Sequence, residues 1–131
     1  MVTVHVIGPD EVPAPLPSAL YYDIADPYAV RLSLGAPSAQ PVDWVFARSL
    51  LTEGLRRPTG SGDVLVIPRP ASRRDFVRIV LRSPEGTAMV DIDESALAAF
   101  LRRTLSLVPA GTESLHLDLD RVLAELTGRL D

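Results

Sequence analysis

The sequence predicts an α+β fold, an antiparallel sheet with helices packed against it, in the order βββα-βββαα. Three observations carry this reading. Apolar residues alternate with polar ones at period two in several stretches, as in Val30, Leu32 and Leu34. Toward the C-terminus the period lengthens to that of a helix, as in Leu97, Phe100, Leu101 and Leu105. The connections between the strand-like stretches carry turn residues, which suits hairpins rather than long crossovers.

Taken in order, Val2, Val4 and Val6 alternate with Thr3, His5 and Ile7 and predict the first strand. The stretch GPDEVPAPLPSAL, Gly8 to Leu20, holds four prolines. Proline lacks a ladder donor, so this reads as an extended or looping connection, with at most a short edge strand. Tyr28, Val30, Leu32 and Leu34 predict a half-buried strand. GAPSAQP breaks it, and Val42, Trp44 and Phe46 form the next apolar face. These two strands pair as a hairpin in this reading, with Arg31 and Asp43 together on the polar face. Leu50, Leu51 and Leu55 then suit a short helix, ended by Gly54 or Pro58.

Val64–Ile67 predicts another strand and PRPASRRD a loop. Phe76–Leu81 and Thr87–Ile92 predict a strand pair. Ser83-Pro84-Glu85-Gly86 between them has the residues of a type I turn. Asp91 and Glu94 are spaced like a capping box, with Asp93 an alternative cap. Leu97, Phe100, Leu101, Thr104 and Leu105 give one helical face, and Pro109 and Gly111 stop that helix. Asp118 is read as the cap of a last helix, with Leu119, Val122, Leu123 and Leu126 on one side and Gly128 at its end. Trp44, Phe46, Tyr28 and Phe100 are the expected aromatic core.

The 131 residues suit one domain, 1–131. With 47% hydrophobic and 23% charged residues the chain should fold. It has no cysteine, which excludes disulfides and thiolate chemistry. No apolar run is long enough to span a bilayer, and the N-terminus has no signal-peptide pattern. A cytoplasmic protein is expected. The net charge of −4 argues against a general nucleic-acid binder. All 13 basic residues are arginine, which points to a GC-rich genome.

Candidate chemistry is sparse. The stretch EGLRRPTGSGDV, Glu53 to Val64, has the glycines of a phosphate cradle, but it lacks lysine and runs from helix to strand, the reverse of a P-loop. It reads as a helix stop and turn. Arg56 and Arg57 beside it are candidate contacts for an acidic partner. His5 and His116 have no neighbour at metal spacing, so no metal or cofactor is expected. Asp118 and Asp120 read as helix N-terminal acids rather than as an acid–base pair. Arg74, Arg78 and Arg82 share one side of a strand, and such a stripe is more often a solvated face than a nucleic-acid track. No catalytic residue is expected.

Three stretches together resemble the SsgA-like proteins of sporulating actinobacteria, most closely the SsgB branch. They are LYYDIADPYAV (Leu20–Val30), VDWVFARSLLTEGLRRPTGSGDV (Val42–Val64), and SPEG (Ser83–Gly86) with VPAGTESLHLDLD (Val108–Asp120). The resemblance implies a non-enzymatic adaptor that positions septation and recruits the tubulin-like division protein FtsZ, working at septa beside other SsgA-like proteins. It also implies a homotrimer and a fold like the Whirly-type single-stranded nucleic-acid binders. A nucleic-acid-binding sheet is therefore the alternative function.

Overall fold

Period-two alternation places one side of each strand in a shared core. The computed structural model describes residues 2–7, 13–35, 40–84 and 86–130. Its strands are β1 (Val2–Ile7), β2 (Pro13–Tyr21), β3 (Ala29–Leu34) and β4 (Val42–Ala47), then β5 (Thr59–Ser61), β6 (Val64–Arg69), β7 (Phe76–Ser83) and β8 (Gly86–Asp93). Helix α1 (Arg48–Gly54) joins the two sets of four, and α2 (Glu94–Leu107) and α3 (Glu113–Leu130) follow. The strands form one sheet in the order β4-β3-β2-β1-β8-β7-β6-β5. Each set is an antiparallel meander, and the two meet where Val6 of β1 faces Val90 of β8.

This order makes the sheet curl. Eight flat strands would place β4 about 33 Å from β5. The helix that links them has only seven residues, roughly 10 Å of rise. Yet α1 packs against β4, β5 and β6. The two ends of the sheet therefore turn toward one helix. The inner face is lined by Val4, Val30, Leu32, Val66, Val77 and Ile92, each at most 1% exposed. Leu51 of α1 and Leu97 and Leu101 of α2 close over it.

The α+β class and the β3–β4 and β7–β8 pairs agree with the sequence reading, but the order is ββββα-ββββαα. The first added strand is the proline-rich segment. It lies inside the sheet, between β1 and β3, rather than at an edge. Its prolines fit because they share one side. The Pro17 carbonyl accepts from Gly35 N–H at 2.8 Å, on the β3 side. By the two-residue period, Pro15 and Pro13 present their donorless nitrogens to that same side. There β3 has already ended, since its pairing with β2 begins at Ser18. Leu16 and Ala14 keep the ladder to β1. The second added strand is β5, which pairs Thr59 with Val66 and Ser61 with Val64. Gly62, at φ 59°, makes the turn. RPTGSGDV is thus a small hairpin.

Five other expectations change. Tyr28 is not in the core; it precedes β3 and is 50% exposed. Of the apolar side of β4, Phe46 is buried, Trp44 is half-buried and Val42 is exposed. Phe100 is half-buried and packs on the core. Asp91 caps nothing: it lies in β8, and Asp93 occupies the N-cap position of α2 without a side-chain bond to the helix backbone. Finally, α3 begins at Glu113, so Asp118 lies inside it, and Gly128 does not end it. Part of the Ser83–Gly86 turn, Glu85, lies outside the described residues.

α1 ends at Gly54, one of the two stops that the sequence reading offered, and the residue also has a packing role. A Cβ there would overlap Val66 Cγ1 of β6. Glycine lets the helix backbone lie directly on the strand.

Candidate interaction surface

The hairpin that follows α1 displays Arg56 and Arg57, both exposed. Their N–H groups both donate to the Glu53 carbonyl, at 2.9 and 3.1 Å, so they wind the chain off the end of the helix. The Arg57 guanidinium is 3.1 Å from the Glu53 carboxylate, one helical turn back. Arg56 forms no ion pair among the described residues. The loop is entered from the C-terminal end of α1, whose carbonyl dipoles favour cations and disfavour a phosphate.

The outer face of the sheet carries opposite charges side by side. Arg78 of β7 grips Asp91 of β8 with two bonds, Nε at 2.8 Å and Nη2 at 3.0 Å. This contact holds the Arg78 guanidinium pKa above its ordinary value, against some desolvation. Arg74 lies 3.8 Å from Asp93, and Arg31 lies 3.2 Å from Asp43, the pair expected from sequence. Arg74 precedes β7, so the expected three-arginine stripe is not on one strand, and of the three only Arg82 forms no ion pair among the described residues. Such pairing removes much of the positive potential that a polyanion track needs. His5 sits beside the Arg78–Asp91 pair, directly across from Asp91. Among the described residues no three His, Asp or Glu side chains gather as metal ligands. The side chains of His116, Asp118 and Asp120 lie outside the described residues.

The β4 end of the sheet carries exposed apolar side chains. Val42 and Val45 of the edge strand are 59% and 62% exposed. Nearby, Tyr21, Ile24, Ala29, Arg31 and Val45 line a surface cleft with Tyr22, Asp23 and Asp26. Arg31 stacks 4.4 Å from the centre of the Tyr21 ring. Tyr22 is anchored, its hydroxyl donating to the Pro27 carbonyl at 2.8 Å.

Sequence reasoning missed Arg48, the first residue of α1, which is 3% exposed. Its Nη1 donates to the carbonyls of Thr104, at 3.1 Å, and Val108, at 2.8 Å. Its Nη2 donates to Glu113 Oε1 at 2.7 Å. Arg48 therefore caps the end of α2 and holds the start of α3. Glu113 Oε2 in turn accepts from Gly111 N–H at 2.8 Å. The hydrogen bond from Arg48 lowers the Glu113 pKa below its ordinary value. The Tyr22 ring lies 5.2 Å from the Arg48 guanidinium. Burial raises the Tyr22 pKa, with Arg48 opposing. The available signal was an arginine in step with the core residues Phe46, Leu50 and Leu51.

The sequence profile described as Streptomyces sporulation and cell division protein, SsgA, matches residues 16–113. A sporulation-specific cell division protein SsgB of Streptomyces coelicolor is 46% identical over 122 residues, covering 93% of this chain and 89% of the relative. Its counterpart from Thermobifida fusca is 44% identical, covering 95% and 90%. A solved structure of SsgB from S. coelicolor, reported with mutations that correlate to longitudinal cell division during sporulation, superposes with a TM-score of 0.81 at 45% identity, covering 88% and 91%. The crystal structure of an SsgA-like sporulation-specific cell division protein from T. fusca superposes with a TM-score of 0.88 at 44% identity, covering 95% and 90%.

Proposed function

The chain belongs to the SsgA-like family of sporulation and cell division proteins, and from that premise we propose that it is a non-enzymatic adaptor of sporulation septation. It gathers division proteins, the tubulin-like FtsZ and other SsgA-like proteins, at future septa. Family membership is the observation that carries this reading. Its role in cell division follows from its relatives; recruitment of FtsZ and the septal position are the finer part of the proposal. As a homotrimer, the form its family resemblance implies, the protein would present each weak contact three times. Linked weak sites gain avidity without any new contact.

Two features of the surface support an adaptor. The ionic side chains on the outer face are largely committed to one another, while exposed apolar residues stand both near the β4 end of the sheet, as Val42 and Val45 do, and along α3, as Leu115, Val122 and Leu126 do. Interaction surfaces show this combination of accessible apolar residues rimmed by polar ones.

Purified chain and FtsZ test the proposal by interferometry, with foci of the tagged chain followed in its host. The expected outcome is binding at micromolar concentration, on the order of −8 kcal/mol, and foci that precede septa. Light scattering should give three protomers. Tight, steeply salt-dependent binding of labelled single-stranded oligonucleotides, with no binding to FtsZ, would replace the adaptor by the nucleic-acid reading.

A further inference from the structure

β4 is a terminal strand, and the backbone on its outer side has no strand to pair with among the described residues. Which residues face outward follows from one hydrogen bond. Arg48 N–H donates to the Tyr28 carbonyl at 2.7 Å. In the β3–β4 register Arg48 stands opposite Tyr28, one step beyond the Ala29–Ala47 pair. Bonded pairs recur every second residue in an antiparallel ladder. Phe46, Trp44 and Val42 therefore turn their N–H and C=O groups toward β3. Asp43, Val45 and Ala47 turn theirs outward.

Sheet edges are normally blunted by being short, charged or covered. β5, at the other end, is three residues long with glycine at its centre, and α1 packs on it. β4 is six residues long. Its one charge, Asp43, is paired with Arg31. Val42 and Val45 are exposed on opposite faces of the strand, so the edge is accessible from both sides.

We infer that the free edge of β4 is a docking strand for an extended segment of a partner protein that carries a basic side chain among apolar ones. The segment adds a ninth strand beside Asp43, Val45 and Ala47. Main-chain hydrogen bonds give the affinity of such an addition, and side-chain pockets give its specificity. A residue opposite Val45 exchanges two backbone bonds with it and projects on the outer face, where Val45 walls the cleft. That cleft holds the Asp23 and Asp26 carboxylates, while its one cation, Arg31, is committed to Asp43. A lysine or arginine complements this charge, and the exposed Tyr21 and Ile24 accept its aliphatic stem.

The inference deepens the adaptor reading and rests on it for the partner's role in division, but the edge is tested separately. Random twelve-residue peptides are displayed and selected against the intact protein, then measured against Val45→Pro. Proline at this position removes an outward donor and leaves the β3–β4 ladder intact, as edge strands allow. Selected peptides should alternate apolar residues and carry Lys or Arg. Val45→Pro should melt near the parent and bind them about tenfold more weakly. Amide exchange at Val45 and Ala47 should slow on binding. The double variant Asp23→Asn, Asp26→Asn should lose about threefold at low salt and nothing at high salt.

Failure to select any peptide, or equal binding to Val45→Pro, overturns the inference. So does self-association of this chain, as a dimer or as the proposed trimer, that Val45→Pro abolishes, because another copy then covers the edge. FtsZ binding that Val45→Pro leaves unchanged overturns β4 as the route while the adaptor reading survives. Peptide binding without any FtsZ binding does the reverse.

Discussion

The two ends of the sheet are treated in opposite ways. At the β5 end the last strand is short, and α1 lies so close to β6 that only glycine fits at position 54. At the β4 end the last strand is twice as long and keeps Val42 and Val45 in solvent. One short helix serves both. It starts at the end of β4, where Arg48 ties it to α2 and α3, and it finishes on β6, where Gly54 meets Val66. The helix seals the end it finishes on and leaves open much of the edge it starts from. An exposed edge is an aggregation hazard when it is only a by-product of topology. Here the open edge borders the cleft of Tyr21, Ile24, Asp23 and Asp26, which is why the docking proposal is placed at this end.

The largest expected effect comes from detaching the start of α1. Arg48→Met removes a buried cation, orphans the Val108 carbonyl, takes one of two donors from the Thr104 carbonyl, and leaves Glu113 without its arginine. The lost hydrogen bonds and the unsatisfied carbonyl should cost about 2–4 kcal/mol, read by denaturant melts. If the cost is under about 1 kcal/mol, Arg48 is not the joint between α1, α2 and α3.

Opening the sealed end should cost less. Gly54→Ala drives a methyl group into Val66 and should destabilise by about 1–3 kcal/mol through overpacking. A glycine-to-alanine change in an uncrowded helix would instead stabilise. The sign of the change thus decides whether α1 really presses on β6. Trp44→Ala samples the open end for contrast. Trp44 is half-buried, so it should cost about 2 kcal/mol, short of the roughly 3–5 of a fully buried aromatic. A full-sized loss would mean that the β4 end is as closed as the β5 end.

Acid should loosen the α3 junction. The Glu113 pKa is lowered in the folded protein, chiefly by the Arg48 hydrogen bond. Its contribution is therefore present above the ordinary carboxylate pKa and is lost as pH falls through the folded value. Stability of the parent should fall more steeply with acid than that of Glu113→Gln, which has no carboxylate to protonate. Parallel pH profiles would remove Glu113 from the junction.

The smallest effect concerns Arg56 and Arg57. Replacing both by alanine should change stability by less than about 0.5 kcal/mol, because both are exposed. If the β5 end also contacts an acidic partner surface, the double variant binds the partner more weakly, and the difference shrinks with salt. Unchanged affinity at low salt would leave the interaction to the β4 end alone.

Local pattern by itself determined much of this protein. The alternation in Ala29–Leu34, Phe76–Ser83 and Gly86–Asp93 set strands with the expected sides buried, and the spacing of Leu97, Leu101 and Thr104 set the inner face of α2. The family motifs were also legible from the residues alone. The Arg31–Asp43 pair was readable because β3 and β4 are consecutive strands that pair antiparallel. Tertiary structure decided the rest, for a common reason: each remaining feature depends on a neighbour far away in sequence. The prolines of β2 argue against an interior strand until it is known that β3 stops short of them. Gly54 reads only as a helix stop until Val66 lies beneath it. Arg48 looks like a surface cation until two carbonyls and a carboxylate, 56 to 65 residues downstream, enclose its guanidinium. Likewise β4 reads as an ordinary half-buried strand, and only the sheet order makes it an edge. Side-chain periodicity records which side of a strand is wet; it does not record which strands have a partner on both sides.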